Sequence, residues 1–389
     1  MDDSQKPQIP EETQEAPPPL TRSQRIRKIT FLVVGLIAFN AFVWGTLYYS
    51  FVLTSEEKTE AKETVDNKFG SMKQVETKDV DKSPTPTPFP FQELTTPYLQ
   101  SRDFNSSLGE MNKAIDNSNY TGYLTSYDSD GLNVNGLLTI PKGEAPDGGW
   151  SDIVFVHGYI PPQNYRTLDN YSAYTDYLAR NGFVVFKIDL RGHGTSEGDP
   201  GGAYYSSDYI IDTLNARAAL ASSDFVNPEK IGLRGHSMAG NVVSRALAAR
   251  TDIPAVVIWA GAVYTYEDFS EYRIQDSSYQ PPERESERVK KREELFQTYG
   301  TFDKESDFWR MVPMTNYLDE IKGAISIHHA VDDPVVDIRY SRNFNSILDK
   351  TSIPHELNEY PSGGHNISGA AFTQAMQNTV AFFDEYLKQ

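Results

Sequence analysis

The chain has 389 residues, of which 39% are hydrophobic, and a formal net charge of −18 at pH 7. This length and composition allow at least one full-sized core, while the acidic balance argues against a nucleic-acid partner because phosphate binding needs clustered Lys and Arg. There is no cysteine, which excludes disulfides, thiolate nucleophiles and cysteine-ligated metal sites.

The first part of the chain predicts a membrane anchor. Residues 1–28 are rich in Pro, Glu and Gln and are expected to form a disordered cytoplasmic tail. Within 29–53, an uncharged run is long enough to cross a ~30 Å hydrocarbon core as one helix. More basic residues precede this run than follow it, which favours a cytoplasmic N-terminus. Residues 54–96, charged and then Pro-rich, predict a stalk, so the rest of the chain is expected outside the membrane.

From residue 97 to 389 the composition is globular. A hairpin is predicted at 120–140, with its turn at 128–131. Apolar runs of strand length then alternate with helical patterns, which implies a mostly parallel central sheet flanked by helices. The predicted strands are 152–156, 183–188, 230–234, 255–260 and 324–328, and the predicted helices are 167–180, 241–250 and 370–387.

The interval 262–322 interrupts this alternation. It is much longer than an ordinary connection and contains a charged segment, 283–295, that is predicted to be helical. We expect a helical cap over the carboxyl edge of the sheet, where ligands bind in open α/β sheets. Its aromatic residues either line a substrate pocket or only pack the cap; they are Tyr264, Tyr266, Phe269 and Tyr272.

The segment 230–240 predicts a strand, a tight turn and the start of a helix, with Ser237 at the turn. Such an elbow thrusts a serine hydroxyl free of the sheet, provided that its neighbours are small. Gly235 meets this need, and Ala239 stands where the usual G-x-S-x-G pattern has its second glycine. The literal pattern occurs at 194–198, but no helix begins at that serine, so a structural turn is predicted there. Ser237 is the candidate nucleophile.

A serine nucleophile also needs a base, an orienting acid and donors for the oxyanion. His365 is the candidate base, in a Gly-rich loop between a short strand and the last helix. Asp332 and Asp333 follow a predicted strand, and both are candidates for the acid. The order serine, aspartate, histidine is the one expected of an α/β-hydrolase. The backbone amides of Tyr159 and Met238 are the predicted oxyanion donors, since prepositioned amides best meet developing negative charge.

The other histidines are interpreted as structural. His193 and His236 are expected to make hydrogen bonds around the elbow, and His328 is expected to pack within its strand. A metal site at His328 and His329 would need convergent ligands and an open coordination position. No metal and no other cofactor is therefore expected.

Several longer motifs occur in order along residues 119–389; they are HGY, DLRGHGTSEGD, NPEKIGLRGHSMAG, HHAVDDPVVD and GGH. With these motifs the region resembles the α/β-hydrolase superfamily, and within it the catalytic domains of prolyl-oligopeptidase-like serine peptidases and related esterases. The resemblance implies an α/β-hydrolase fold with a serine, histidine and aspartate triad. It also implies Asp333 as the acid, because the acid of such relatives lies four residues after a histidine, here His329.

The expected activity is hydrolysis of a carboxylic amide or ester through an acyl-enzyme. The opening hairpin and the predicted extracytoplasmic location favour a peptidase acting on small peptides, with a carboxylesterase of the same fold as the alternative. Two other hypotheses stay open. The domain could bind a ligand without catalysis, or it could transfer an acyl group to an acceptor other than water.

Overall fold

A tight Asp-Gly turn joins two long antiparallel strands near one edge of the sheet. In the computed structural model, which describes residues 88–388, strands β2 (Tyr120–Ser129) and β3 (Leu132–Pro141) pair antiparallel along their length. Asp130 and Gly131 between them have φ values of 56° and 81°. Positive φ at both positions is what a two-residue hairpin turn with the strands' own twist requires. The predicted hairpin is confirmed, and β1 (Asn112–Asp116) pairs with its outer edge.

The strands after the hairpin form the parallel part of the sheet. They are β4 (Trp150–Val156), β5 (Val184–Ile188), β6 (Val226–His236), β7 (Ala255–Trp259), β8 (Ala324–Ala330) and β9 (His355–Tyr360). Nine strands lie in the order β1-β2-β3-β5-β4-β6-β7-β8-β9, and every pair from β5 onwards is parallel. Strands β5, β7 and β8 are buried at every position, as expected where helices cover both faces. The predicted mostly parallel sheet is confirmed.

Helices pack on the two faces of this sheet and build two hydrophobic clusters. The helices are α1 (Thr96–Ser101), α2 (Ser172–Arg180), α3 (Asp208–Ala221), α4 (Ala239–Ala249), α5 (Tyr266–Glu271), α6 (Glu287–Tyr299), α7 (Asp307–Arg310), α8 (Arg339–Leu348) and α9 (Ala370–Leu387). One cluster includes Leu214 of α3, Val243 of α4 and Phe344 of α8, and the other includes Leu178 of α2 and Phe383 of α9.

The predicted helices differ from the observed ones mainly at their starts. Helix 370–387 is confirmed, and helix 241–250 is present as α4. Helix 167–180 was predicted too long, because Tyr171 has a φ of 61° and α2 begins only at the next residue. Helix α3 was not predicted, since it is buried on nearly all sides and so shows no polar face in the sequence.

The chain between β7 and β8 leaves the sheet and forms the predicted helical cap. Helices α5, α6 and α7 lie in this insertion. They have a small aromatic core of their own, in which Tyr266, Phe308 and Trp309 are buried. The charged helix begins at Glu287 rather than at residue 283, because the backbone of Ser286 is still extended.

The folded domain begins earlier in the chain than predicted. Phe89 and Phe91 pack on the cap cluster and Leu94 is buried in it, so residues 88–96 belong to the domain and not to a stalk. The predicted tail, the predicted membrane helix at 29–53 and most of the predicted stalk lie outside the described residues. Among the helices of the described part, none has both the length and the apolar character that crossing a membrane requires.

Strand β4 carries a buried carboxyl group that affects stability. Neither side-chain oxygen of Asp152 has a hydrogen-bond partner among the described residues. Burial raises the pKa of Asp152 well above its usual value. The folded protein therefore keeps this proton, while the unfolded chain loses it above about pH 4. As the pH rises from that point, this group favours unfolding until the folded state ionises as well.

We expect Asp152→Asn to raise the melting temperature at about pH 8 and to change it little near about pH 4, because the amide cannot ionise in the unfolded chain. Scanning calorimetry at both pH values measures this, with Asp147→Asn at an exposed position as the control. A variant that is less stable than wild type at the higher pH would contradict the assignment of a neutral carboxyl group.

Candidate active site

Ser237 stands at the sharp turn between β6 and α4. Its φ of 55° lies in the left-handed region that a serine rarely adopts. Two hydrogen bonds hold the turn, from the Ser237 amide to the Trp259 carbonyl oxygen (2.8 Å) and from the Gly240 amide to the Ser237 carbonyl oxygen (2.8 Å). A Cβ atom at Gly235 would lie 2.6 Å from a carbonyl oxygen of α4. Only glycine therefore lets strand and helix approach so closely, and the predicted elbow is present.

His365 and Asp333 meet on the loops after β9 and β8. His365 Nδ1 lies 2.8 Å from Asp333 Oδ2, and the Asp333 side chain is fully buried. The other Asp333 oxygen accepts hydrogen bonds from the amides of Val335 (2.8 Å) and Val336 (3.1 Å). Burial acts to raise the pKa of Asp333, but hydrogen bonds from His329 and His365 outweigh it and hold the pKa well below its usual value. The group is therefore a carboxylate facing the imidazole.

Asp332, the alternative acid, bonds the backbone of the His365 loop instead of the imidazole ring. Its Oδ1 accepts a hydrogen bond from the Gly364 amide at 2.8 Å, so it holds the loop that carries His365. The contact with the imidazole ring is made by Asp333, as the resemblance implied.

The two residues that carry the predicted oxyanion donors, Tyr159 and Met238, border the same cavity as Ser237. Neither of their backbone amides donates a hydrogen bond to another residue of the described part. Amides that are to receive an oxyanion must be free in this way before substrate arrives.

The literal G-x-S-x-G at 194–198 is a structural turn, as predicted. The Ser196 hydroxyl donates to the Asp189 carbonyl oxygen and accepts from the Asn135 amide at 2.9 Å. Its oxygen thus ties the loop to the sheet and is not presented to a base.

A chain of hydrogen bonds joins the loops around the serine. The Tyr171 hydroxyl accepts from the Gly158 amide (3.1 Å) and donates to His236 Nδ1 (2.7 Å). His236 Nε2 in turn donates to the His365 carbonyl oxygen at 2.9 Å. Burial lowers the pKa of His236 well below its usual value, so the ring is neutral and has the tautomer that satisfies both bonds. His236 was predicted as structural, and Tyr171 was not recognised, because nothing in its sequence context marks its hydroxyl.

A cavity of about 480 Å³ extends from Ser237 beneath the cap. Of the four aromatic residues that were considered for a pocket, Phe269 lines it. Tyr264 instead stacks on Phe344, with ring centroids 4.1 Å apart. Tyr272 packs on Tyr340 and Tyr266 belongs to the cap core, so three of the four are packing residues.

The sheet order, the serine elbow and the paired aspartate and histidine are those of the α/β-hydrolase fold, and part of the chain is similar to serine hydrolases of that superfamily. The family model described as serine aminopeptidase, S33, matches residues 151–279. Two curated relatives are similar to part of the chain, the uncharacterized protein YfhR of Salmonella typhi and that of Salmonella typhimurium. Each is 27% identical over 118 residues, which is 30% of this chain and 37% of the relative's length.

Several solved structures share the fold. Acetyl xylan esterase 1 from Thermoanaerobacterium sp. has 17% identity and a TM-score of 0.51, covering 76% of this chain and 95% of its own. An acetyl xylan esterase from Paenibacillus sp. R4 has 18% identity and a TM-score of 0.53, with coverages of 75% and 92%. A puromycin-hydrolyzing peptidase of Mycobacterium tuberculosis has 20% identity and a TM-score of 0.52, with coverages of 70% and 40%.

Tyr171→Phe should slow catalysis without unfolding the protein, because it leaves His236 Nδ1 and the Gly158 amide without a partner. Loss of about 1 to 1.5 kcal/mol from such a bond corresponds to a fall in kcat of roughly tenfold, with KM changed less. Steady-state hydrolysis of a small p-nitrophenyl ester measures both constants. Tyr177→Phe in α2, which begins directly after Tyr171, is the control, and equal effects of the two substitutions would refute the positioning role.

Proposed function

We propose that the protein hydrolyses carboxylic amides or esters through an acyl-enzyme, with Ser237 as nucleophile, His365 as base and Asp333 as the orienting acid. The observation that carries this proposal is the 2.8 Å contact between His365 Nδ1 and Asp333 Oδ2, made beside a cavity that both His365 and Ser237 line.

The proposed mechanism follows from the protonation state of His365. Because Nδ1–H of His365 donates to Asp333, Nε2 is left to take the proton of Ser237 as its Oγ attacks the scissile carbonyl. The negative charge that develops on the carbonyl oxygen is met by the Tyr159 and Met238 amides. His365 then gives its proton to the leaving group, and an acyl-enzyme remains. Water, deprotonated by His365, releases the acid and restores the serine hydroxyl. Asp333 stays ionised and stabilises the imidazolium formed in each half of the cycle.

A small peptide is the substrate that we propose first. The match to a serine aminopeptidase family and the likeness to a puromycin-hydrolyzing peptidase support it, and the cap above the serine favours short chains. A carboxylesterase is the second candidate, supported by the likeness to two acetyl xylan esterases. Ratios of kcat/KM for aminoacyl p-nitroanilides and for acyl p-nitrophenyl esters separate the two.

We also propose that the apolar run within 29–53 anchors the domain in a membrane, with the N-terminus cytoplasmic. The support is the length of the run and the basic residues before it. Retention in the pellet after alkaline carbonate extraction, lost when the run is deleted, tests the anchor; protease accessibility of the domain in intact cells tests the orientation.

A fluorophosphonate probe should label the wild-type protein and fail to label Ser237→Ala, since only an activated serine reacts readily. Ser196→Ala, which removes the serine of the literal motif, should still be labelled. If the folded wild-type protein is not labelled, the catalytic proposal fails and a binding module becomes the better description.

Asp333→Asn should lower kcat far more than Asp332→Asn does. Asparagine at 333 cannot stabilise the imidazolium, so kcat should fall by roughly 10³- to 10⁴-fold. Asparagine at 332 can still accept from the Gly364 amide, and the loss should stay below about tenfold. Ester hydrolysis at a fixed pH measures both. A larger loss in the Asp332 variant would reverse the assignment of the acid.

A further inference from the structure

The cavity beside Ser237 has a basic wall, although the protein as a whole is acidic. Arg288, Lys291 and Arg292 of α6 line this cavity. Their spacing of three and four residues places them on one face of the helix. Lys290, the other cation of this helix, does not line the cavity and pairs with Glu287 at 2.7 Å.

The cations of the basic wall (Arg288, Lys291 and Arg292) are not used in ion pairs of the described residues. Several carboxylates also line the cavity, but two of them have partners of their own. Asp208 pairs with Arg191 at 3.3 Å, and Glu287 pairs with Lys290. The others form no salt bridge with the basic wall within residues 88–388; they are Glu93, Asp199 and Asp276. A half-buried guanidinium group without a counter-ion can gain one by binding an anionic group of a ligand.

Gly202, in the loop opposite α6, leaves room for the side chain of Arg288. A Cβ atom at Gly202 would lie 3.1 Å from Arg288 Nε and 3.2 Å from its Nη2, so the guanidinium rests against bare backbone. Arg288 and Arg292 are half-buried, whereas Lys291 is exposed. The arginines are therefore the better held of the three charges. An arginine fork also matches carboxylate and phosphate oxygens in a bidentate way that lysine cannot.

Aromatic side chains also line the cavity. Tyr204, Tyr205 and Phe269 supply apolar surface beside the carboxylates and the basic wall. Besides its carboxylates, the cavity thus combines the candidate nucleophile, aromatic surface and two half-buried arginines that form no salt bridge within the described residues. A ligand that satisfies these three features has a scissile carbonyl, an apolar body and a negative charge.

We propose that this cavity selects substrates that carry an anionic group remote from the scissile bond, which Arg288 and Arg292 bind. The proposal rests on the function proposed above, because it assumes that the reaction occurs at Ser237. A carboxylate, a phosphate and a sulfate share the required chemistry. The anionic group belongs either to the acyl part or to the leaving group, according to which part of the substrate enters the cavity.

Two series of matched esters test the proposal on the full-length protein. In the first, p-nitrophenyl esters of ω-carboxyalkanoic acids are compared with the same esters carrying a neutral ω-methyl ester. In the second, acetyl esters of hydroxybenzoates are compared with acetyl esters of hydroxybenzamides. Wild type should favour the anionic member by roughly tenfold in kcat/KM in at least one series, the size expected for a charge-assisted hydrogen bond. Added salt should reduce this preference.

The variants Arg288→Gln and Arg292→Gln should move the anionic-to-neutral ratio of kcat/KM towards one. Arg284→Gln removes an exposed cation of the cap that does not line the cavity, and it should leave the wild-type ratio. Arg288→Glu should reverse the preference in favour of an ω-ammonium ester, which a loss of folding could not produce.

The two proposals fail in different ways. If neutral esters are hydrolysed and Ser237 is labelled, but neither series shows an anionic preference, the inference about the basic wall is wrong and the hydrolase proposal stands. A preference that persists in Arg288→Gln and Arg292→Gln also overturns it. If no ester is hydrolysed and the probe does not react, both proposals fail together.

Discussion

The left-handed backbone of Ser237 is the constraint on which the candidate site depends. A serine whose backbone φ is 55° is strained, and the surrounding contacts must offset the free-energy cost of that strain. They do so through the bond from its amide to the Trp259 carbonyl oxygen on the neighbouring strand and through the close approach that Gly235 permits. The strain therefore directs the hydroxyl out of the sheet, and the parallel order of β6 and β7 supplies the carbonyl oxygen that holds it there.

The site is then completed by loops that hold one another. Asp333 contacts the ring of His365, while His236 bonds its backbone, so side chain and main chain are fixed separately. Arg234, buried beside them, lies over the rings of Phe155 (4.3 Å) and Trp259 (4.8 Å), and its guanidinium nitrogens have no hydrogen-bond partner among the described residues. Its charge adds to burial in lowering the pKa of His236. A neutral His236 can accept from one loop and donate to another, which a protonated ring cannot do.

Local sequence patterns were strong enough to predict most of the sheet and the candidate site residues. Buried parallel strands show up as continuous apolar runs, and the elbow and the Gly-rich loop around His365 have their own residue signatures. Other features could not be predicted from the sequence, and two of them show why. Helix α3 is buried on nearly every side and has no amphipathic period. The choice between Asp332 and Asp333 depends on which oxygen reaches a ring 32 positions further along the chain, and adjacent carboxylates look alike until the loops are folded. The resemblance pointed to Asp333, whose carboxylate contacts the ring, whereas the residues alone had left both open.

The proposed reaction and the proposed choice of substrate depend on different parts of the chain. The proposed nucleophile, base, acid and oxyanion donors all lie at the edge of the sheet, where strand ends converge on one place. None of these proposed groups comes from the cap, which supplies the basic wall and Phe269. Since a triad acts alike on esters and amides, discrimination has to come from groups that touch the substrate away from the scissile bond. In a protein of charge −18, three cations gathered on one face of a cap helix are the least expected such groups, and they border the cavity that Ser237 also lines.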